Sequence, residues 1–469
     1  MMQSIRKSAL SALALSLTAA GVAGAQAQAT STASPSTTAS KITTRQLPKA
    51  MATSTDSIGS VAAVRQLPNG NVLVNDQARR RVIMLDKDMK LVGVVADSTS
   101  STANAYGVRP GGLLAYRGDS TLFIDAASLS MLVIDQNGKI IRTMAAPRPN
   151  DVNFLTGGIA GNPGFDSKGR LIYRVMDFGF GRGGPRPEPG KPFVPPTPPD
   201  SSALVRFDLA TRKLDTAGFF KIAKTNVQMS QDANGGMRVS VSVNPLPVVD
   251  EWAVMSDGTV AFLRGQDYHV DFIDAAGAKT SAEKIPYEWQ RMTDDDKQRF
   301  LDSAKVAIEK QRATMMAGGA APGRGGMDAA ANILGGAGGG GQMVVTMRGG
   351  DGGPPRVEMG GGGPGRAGGP PGEMPPVNMV PISDLPDYKP VFGNGAVKPD
   401  MDGHLWVRTI PTKPTTGGAI YDVIDRSGKL VDRVQVPAGT TIAGFGAGGI
   451  VYLGSRDTSG LHIQRIALH

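Results

Sequence analysis

One supersecondary unit recurs along this chain, and that recurrence limits the folds open to it more than any other feature. The unit runs as an apolar strand, an Asn/Asp/Ser-Gly turn, a second strand, a loop, a third strand ending in Asp, a short turn and a fourth strand. The first copy has Val61–Leu67, Pro68-Asn69-Gly70, Val72–Asp76, Arg81–Asp86 and Leu91–Val94. The second has Leu113–Tyr116, Thr121–Asp125, Met131–Asp135 and, after Asn137-Gly138, Lys139–Thr143. The third has Ser167-Lys168-Gly169, Leu171–Arg174 and Leu204–Asp208. The fourth has Trp252–Met255, Asp257-Gly258, Val260–Arg264 and His269–Asp274. The fifth has Asp402-Gly403, Leu405–Arg408, Tyr421–Asp425 and Leu430–Val434. Asn-Gly and Asp-Gly tolerate positive φ and therefore make the tight hairpins that join neighbouring strands.

The sixth copy is short by one strand. Thr441–Phe445, Ile450–Leu453 and Leu461–Ile466 supply three before the chain stops at His469. Ile42–Leu47 is the β-like segment left over ahead of the first copy, and it is expected to supply the fourth. Closing a ring in this way removes a free sheet edge. The expectation is an all-β, six-bladed β-propeller over residues 41–469, with an N-terminal strand closing the last blade. Strands packed on both faces read as near-continuous apolar runs, as these do. A twisted sandwich would explain the strands but not six similar units.

Two insertions interrupt the pattern. Residues 176–202 are rich in Pro and Gly and fall between the second and third strands of the third copy; they are expected to be extended. Between the fourth and fifth copies a helix is expected over residues 293–316, with Thr293 as N-cap, Asp294, Asp295 and Asp296 in its first turn, and an apolar stripe of Phe300, Leu301, Ala304 and Ile308. Residues 317–378 follow, rich in Gly, Pro and Met, and are expected to be disordered because they bury too little apolar surface to offset ordering entropy. Loops after the second and fourth strands of a blade emerge on the same face, so both insertions should crowd one mouth of the central channel.

The start of the chain reads as an export signal. Arg6 and Lys7 precede an apolar run from Ala9 to Ala25, followed by Ala-x-Ala sites. Residues 1–27 are thus expected to be a signal peptide and 28–40 a disordered leader, giving a periplasmic or secreted protein with no integral membrane segment after cleavage. Cysteine is absent, which excludes disulfides, thiol chemistry and thiolate metal sites. The net charge of +9 loses two with the signal, and the remaining surplus favours anionic partners.

The ends of the second strands carry the polar residues that point to chemistry. Asn75, Asp76, Asp125, Arg174, Arg264 and Arg408 should face the insertion-bearing mouth. Arginine pairs with carboxylate or phosphate through two parallel hydrogen bonds, so an anionic ligand is one reading and salt bridges between blades are the other. Asp267, Tyr268 and His269 form a second candidate group, with His269 and Asp271 on one strand face. No residue is assigned a catalytic role, and no cofactor is expected. His269 beside its carboxylates could be an acid/base pair or a metal ligand set, with a structural role as the other reading; calcium through Asn75, Asp76 and Asp125 is a further metal option that no D-x-D-x-D-G loop supports. Gly444, Gly446 and Gly449 match G-x-G-x-x-G but precede a strand, which argues against nucleotide. Arg-Gly-Gly runs at Arg182, Arg324 and Arg348 read as flexible tethers, not nucleic-acid contacts. Trp252 and Trp406 are expected to pack between blades, while Tyr388 and Phe392 are expected to fold over the mouth.

The motifs LPNGNVLVND, RRVIMLD, DEWAVMSDGTVAFLRGQDYHVDFID and DGHLWVRT resemble uncharacterised exported six-bladed propellers of soil bacteria and, more loosely, NHL-repeat and TolB-like propellers. The likeness covers roughly Ile42 to His469 without the insertions and implies the fold, while propellers of this kind host binding proteins, lactonases and lyases alike. The function expected is a monomeric binding module for a peptide, an envelope component or an anionic small molecule. The alternatives are a metal-dependent enzyme of the lactonase or lyase kind and a scaffold for partner proteins.

Overall fold

The computed structural model describes residues 42–99, 106–158, 161–175, 199–224, 226–231, 237–317, 345–348, 356–359, 377–413 and 415–469. The expected signal peptide and leader, and most of both insertions, lie outside them. Among the described residues no helix is long and apolar enough to cross a membrane.

Six sheets form the blades, and within each the consecutive strands pair antiparallel. The first blade is Val61–Gln66, Val72–Asp76, Arg81–Leu85 and Leu91–Ala96. The second is Gly112–Ala115, Thr121–Asp125, Ser130–Ile134 and Ile140–Ala145; the third is Gly164–Phe165, Leu171–Val175, Ser201–Phe207 and Leu214–Lys221. The fourth is Glu251–Val254, Val260–Arg264, His269–Ile273 and Lys279–Ser281; the fifth is Val397–Pro399, Leu405–Arg408, Ile420–Ile424 and Leu430–Gln435. Thr440–Gly446, Ile450–Asp457 and Gly460–Ala467 begin the sixth.

The core shows why the blades form a ring. It is divided into wedges, one between each consecutive pair of blades. Leu73, Val82 and Met84 of the first blade meet Phe123, Leu132 and Ile134 of the second. Trp252 and Phe262 of the fourth meet Ile172, Leu204 and Phe220 of the third. Trp406 of the fifth meets Phe445 of the sixth, with ring centroids 5.1 Å apart. Val72, Val74 and Ile83 of the first close the circle against Ile450, Tyr452 and Ile463 of the sixth. Both tryptophans therefore pack between blades, as expected. Every middle strand is covered on both faces, which is the physical reason its sequence is apolar throughout.

The turns opposite the insertions share one device. Asp86, Asp135, Asp166, Asp274, Asp400 and Asp425 each end a strand, and in each the Oδ1 atom accepts the backbone N–H groups two and four residues on. This carboxylate replaces backbone partners that the tight hairpin leaves unpaired. Gly258, at φ +85°, turns the inner hairpin of the fourth blade where a Cβ would collide with the backbone of Ser167.

Ring closure uses a different segment from the one expected. Ala52–Thr53, not Ile42–Leu47, is the outer strand of the sixth blade, antiparallel to Gly460–Ala467 with Ala52 opposite Arg465. Met51, Ser54 and Ile58 extend the seam by donating N–H bonds to the carbonyls of Arg465, Ile463 and Leu461. Arg45–Gln46 instead adds a fifth, parallel strand to the fifth blade, where Arg45 pairs with Asp432 at 2.6 Å. Parallel addition suits a chain that must continue to the next blade in the same direction.

The helix expected in the second insertion is present. Asp294–Ala317 is helical, and Thr293 caps it: Thr293 Oγ1 accepts the Asp296 N–H while Asp296 Oδ2 accepts the Thr293 N–H. Leu301 and Ala304 are buried, and Leu301 packs against Leu246, Met292, Val380 and Leu385. Within 317–378, Val345–Arg348 and Arg356–Met359 pair as antiparallel strands, while most of that stretch lies outside the described residues. The pair joins a second one, Asn226–Gln231 with Met237–Ser242, through Met237 and Arg238. Short alternating runs such as Val345-Thr346-Met347-Arg348 become strands once a partner edge is available. Phe392 is buried in the wedge between the fourth and fifth blades and does not cover the mouth, whereas Tyr388 is exposed.

Candidate functional site

The innermost strand of each blade has a sheet neighbour on one side only, so its other edge faces the axis. These strands enclose a central cavity of about 850 Å³. Among the residues that line it, Arg65, Arg117, Lys168, Lys398 and Arg408 are basic, and Asp166 and Asp400 are acidic. Both acids are engaged in their own turns. Asp166 accepts two N–H groups and pairs with Arg170 at 2.7 Å. Asp400 accepts the N–H groups of Asp402 and His404, with the His404 ring and the Trp406 indole on its second oxygen.

Arg65, Arg117 and Lys168 lie toward the turn-bearing end. Arg65 donates to Thr121 Oγ1 and to the carbonyl of Ser120, and burial brings its pKa down to about 10. Arg408 ends a second strand and stands at the insertion-bearing mouth. Thr156, Gly157, Gly158, Asn162, Asn394 and Gly395 line the same mouth. All belong to segments that enter an innermost strand, which is why they converge there.

Most of the residues singled out from sequence serve as latches between chain segments. Asn75 donates to the Gly111 carbonyl and accepts from Tyr106, holding the crossing into the second blade. Asp76 is buried; it accepts the N–H groups of Gly59 and Ser60 and pairs with Arg81 at 3.1 Å. Asp125 accepts the Ala127 and Ser128 N–H groups and the Ser128 hydroxyl. Arg264 lies between Asp250 at 2.8 Å and Asp271 at 2.7 Å; burial works against its charge, but the two carboxylates outweigh it and raise its pKa. Asp267 and His269 pair at 2.7 Å, with Asp271 3.3 Å from the other ring nitrogen. Tyr268 is buried at φ +51° and donates to Asp422, itself held by Arg433. Arg174 donates to Ser202 and lies over the Phe220 ring at 5.4 Å. Of the nine, Arg408 lines the cavity. Asn75 and Asp76 stand on one blade and Asp125 on the next, each engaged with its own neighbours.

Sequence reasoning missed Glu251. It opens the innermost strand of the fourth blade and is 7% exposed. Its Oε1 accepts the Gly395 N–H at 2.8 Å, tying the fourth blade to the segment entering the fifth. Burial raises its pKa to about 7, opposed by the Gly395 bond and the charges of Arg174 and Arg408 and reinforced by Asp250. The available signal was Asp250-Glu251, two acids at the head of an otherwise apolar strand.

No family model matches the chain, and no curated protein matches it. Solved structures do. A member of the DUF4221 family from Bacteroides vulgatus is 9% identical with a TM-score of 0.37, covering 89% of this chain and 96% of that one. A luciferin-regenerating enzyme is 11% identical with a TM-score of 0.33, covering 87% and 92%. A streptogramin B lyase is 9% identical with a TM-score of 0.31, covering 89% and 86%. At such identities and scores nothing about activity passes to this chain.

Proposed function

We propose that this protein is an exported binding module that takes a small anionic ligand into the central channel from the insertion-bearing mouth. The observation that carries the reading is the charge of the residues along the channel wall, five basic and two acidic. A volume of about 850 Å³ falls in the range of small-molecule sites and is too small for a folded partner. The unpaired edges of the inner strands add backbone donors and acceptors, and a basic channel concentrates anions before they bind. In this reading Arg408 meets the ligand's carboxylate or phosphate, and Lys398 lies on the same blade's inner strand. The apolar run behind Arg6 and Lys7 supports export.

Calorimetry with citrate and glucuronate, against neutral sugars of similar size, tests the reading. R408A and K398A should each weaken anion binding roughly tenfold, as expected for loss of a charged hydrogen bond. R264A, whose partners are Asp250 and Asp271, should leave affinity unchanged. Equal binding of neutral analogues, or wild-type affinity in both R408A and K398A, would remove the proposal.

A further inference from the structure

The turn Asp457–Gly460 brings a serine and a histidine together as a nucleophile and its base would be. It joins Ile450–Asp457 to Gly460–Ala467 in the sixth blade, and Asp457 Oδ1 shapes it by accepting the N–H groups of Ser459 at 2.8 Å and Gly460 at 3.2 Å. Ser459 is exposed in this turn, whereas His462 is 8% exposed. His462 Nδ1 lies 2.8 Å from the carbonyl of Ser54 in the closing segment, and a carbonyl only accepts, so this nitrogen carries hydrogen. In the neutral ring the lone pair is then on Nε2, 2.8 Å from Ser459 Oγ. The backbone of the closing segment thus sets the tautomer.

The same Asp-x-Ser-Gly turn occurs at Asp425–Gly428, where Ser427 donates its N–H and its hydroxyl to Asp425 Oδ1 at 2.8 and 2.7 Å. There the third residue beyond the serine is Leu430, so the turn forms without a histidine. At Ser459 the one hydroxyl hydrogen has two acceptors in reach, Asp457 Oδ1 at 2.6 Å and His462 Nε2 at 2.8 Å. Bonds from the Ser459 hydroxyl and N–H hold the Asp457 carboxyl below its ordinary range, so it keeps a proton weakly and the imidazole is the group to take one. Asp457 Oδ1 is also 3.6 Å from Nε2 and faces the imidazolium that such a transfer makes.

We propose that Ser459 and His462 form an acyl-transfer site for esters of phenols, separate from the central channel. Ser459 Oγ bonds to the acyl carbon as the bond from that carbon to the phenol oxygen breaks; the hydroxyl proton passes to His462 Nε2 and then to the departing phenolate. Water next adds to the acyl-serine with His462 taking its proton, and the proton returns to Ser459 Oγ as the carboxylic acid leaves. The Ser459 and Gly460 N–H groups are already bonded to Asp457, so the site suits leaving groups that depart readily, as phenolates do.

4-Nitrophenyl acetate is the probe, with acetylated residues located by peptide mass spectrometry after acid quench. Ser427, in the matching turn, is the control within the same chain. A general base contributes about 10²–10⁴-fold, so Ser459 should be acetylated at least about a hundredfold faster than Ser427. S459A should lose this fast phase of nitrophenol release, H462Q should slow it by about a hundredfold, and S427A should keep it. No acetylation of Ser459, equal labelling of the two serines, or fast release that survives in S459A or in folded H462Q would overturn the proposal. The comparison of the two serines needs no variant, so it decides the matter if H462Q does not fold.

Discussion

Replacing Glu251 with Gln should change how stability depends on pH, and the size of the change follows from burial. A carboxyl group with an ordinary pKa of 4.5 that rises to about 7 in the folded chain binds more protons folded than unfolded between those values. Its contribution to stability is fully present below pH 4.5 and is lost as pH rises through 7. At 1.36 kcal/mol for each pH unit the ceiling is about 3 kcal/mol, most of which falls between pH 5 and pH 8. Gln has the same shape, keeps an acceptor for Gly395 and does not ionise. E251Q should therefore gain on the wild type by about 2–3 kcal/mol over that interval, with no further gain above it. Urea midpoints at fixed pH values from 5 to 9 for the two proteins read the difference directly, because all other titrating groups are shared. A gap that stays constant, or that narrows as pH rises, would mean that the two arginines hold Glu251 ionised and that burial does not dominate.

D76A should be destabilising by about 3–5 kcal/mol, since it strands Arg81 and two backbone N–H groups in a buried position, while D76N keeps part of that. A loss below about 1 kcal/mol in thermal or urea melts would show that water replaces the carboxylate. The pair A52C and R465C, opposite each other across the closing seam, should form a disulfide in a chain with no other cysteine. Oxidation should stabilise the ring by about 5 kcal/mol through chain entropy, and equal melting of the oxidised and reduced forms would contradict the seam.

Much of the architecture could be read from the sequence because a propeller blade repeats a chemical pattern. Apolar runs such as Val72–Val74 and Met131–Ile134 are covered on both faces, and Asp-to-Gly turns such as Asp135–Gly138 are fixed by their own carboxylates. These are local causes and leave local traces. Ring closure is not local. Residues 42–47 and 51–58 both carry β-compatible sequence, and which of them meets Gly460–Ala467 depends on how many residues span from the fifth blade to the sixth. The site is less legible for the same reason. Sequence places Asp76 or Arg264 at a strand end, but the segment that returns over that end takes up its hydrogen bonds, and no spacing rule reports it. Glu251 escaped notice because its partners, Gly395, Arg174 and Arg408, come from two other blades.

The seam between residues 51–58 and 460–467 has a consequence for how the molecule is made. Residues 51–58 find their place only once residues 460–467 have been made, so no blade count short of six gives a closed ring. Until then the sixth-blade faces of Val72, Val74 and Ile83 have nothing to lie against. Such long-range pairing makes for slow assembly. Once made, the same seam resists opening, because releasing either segment must break a pairing held by one far away in the sequence.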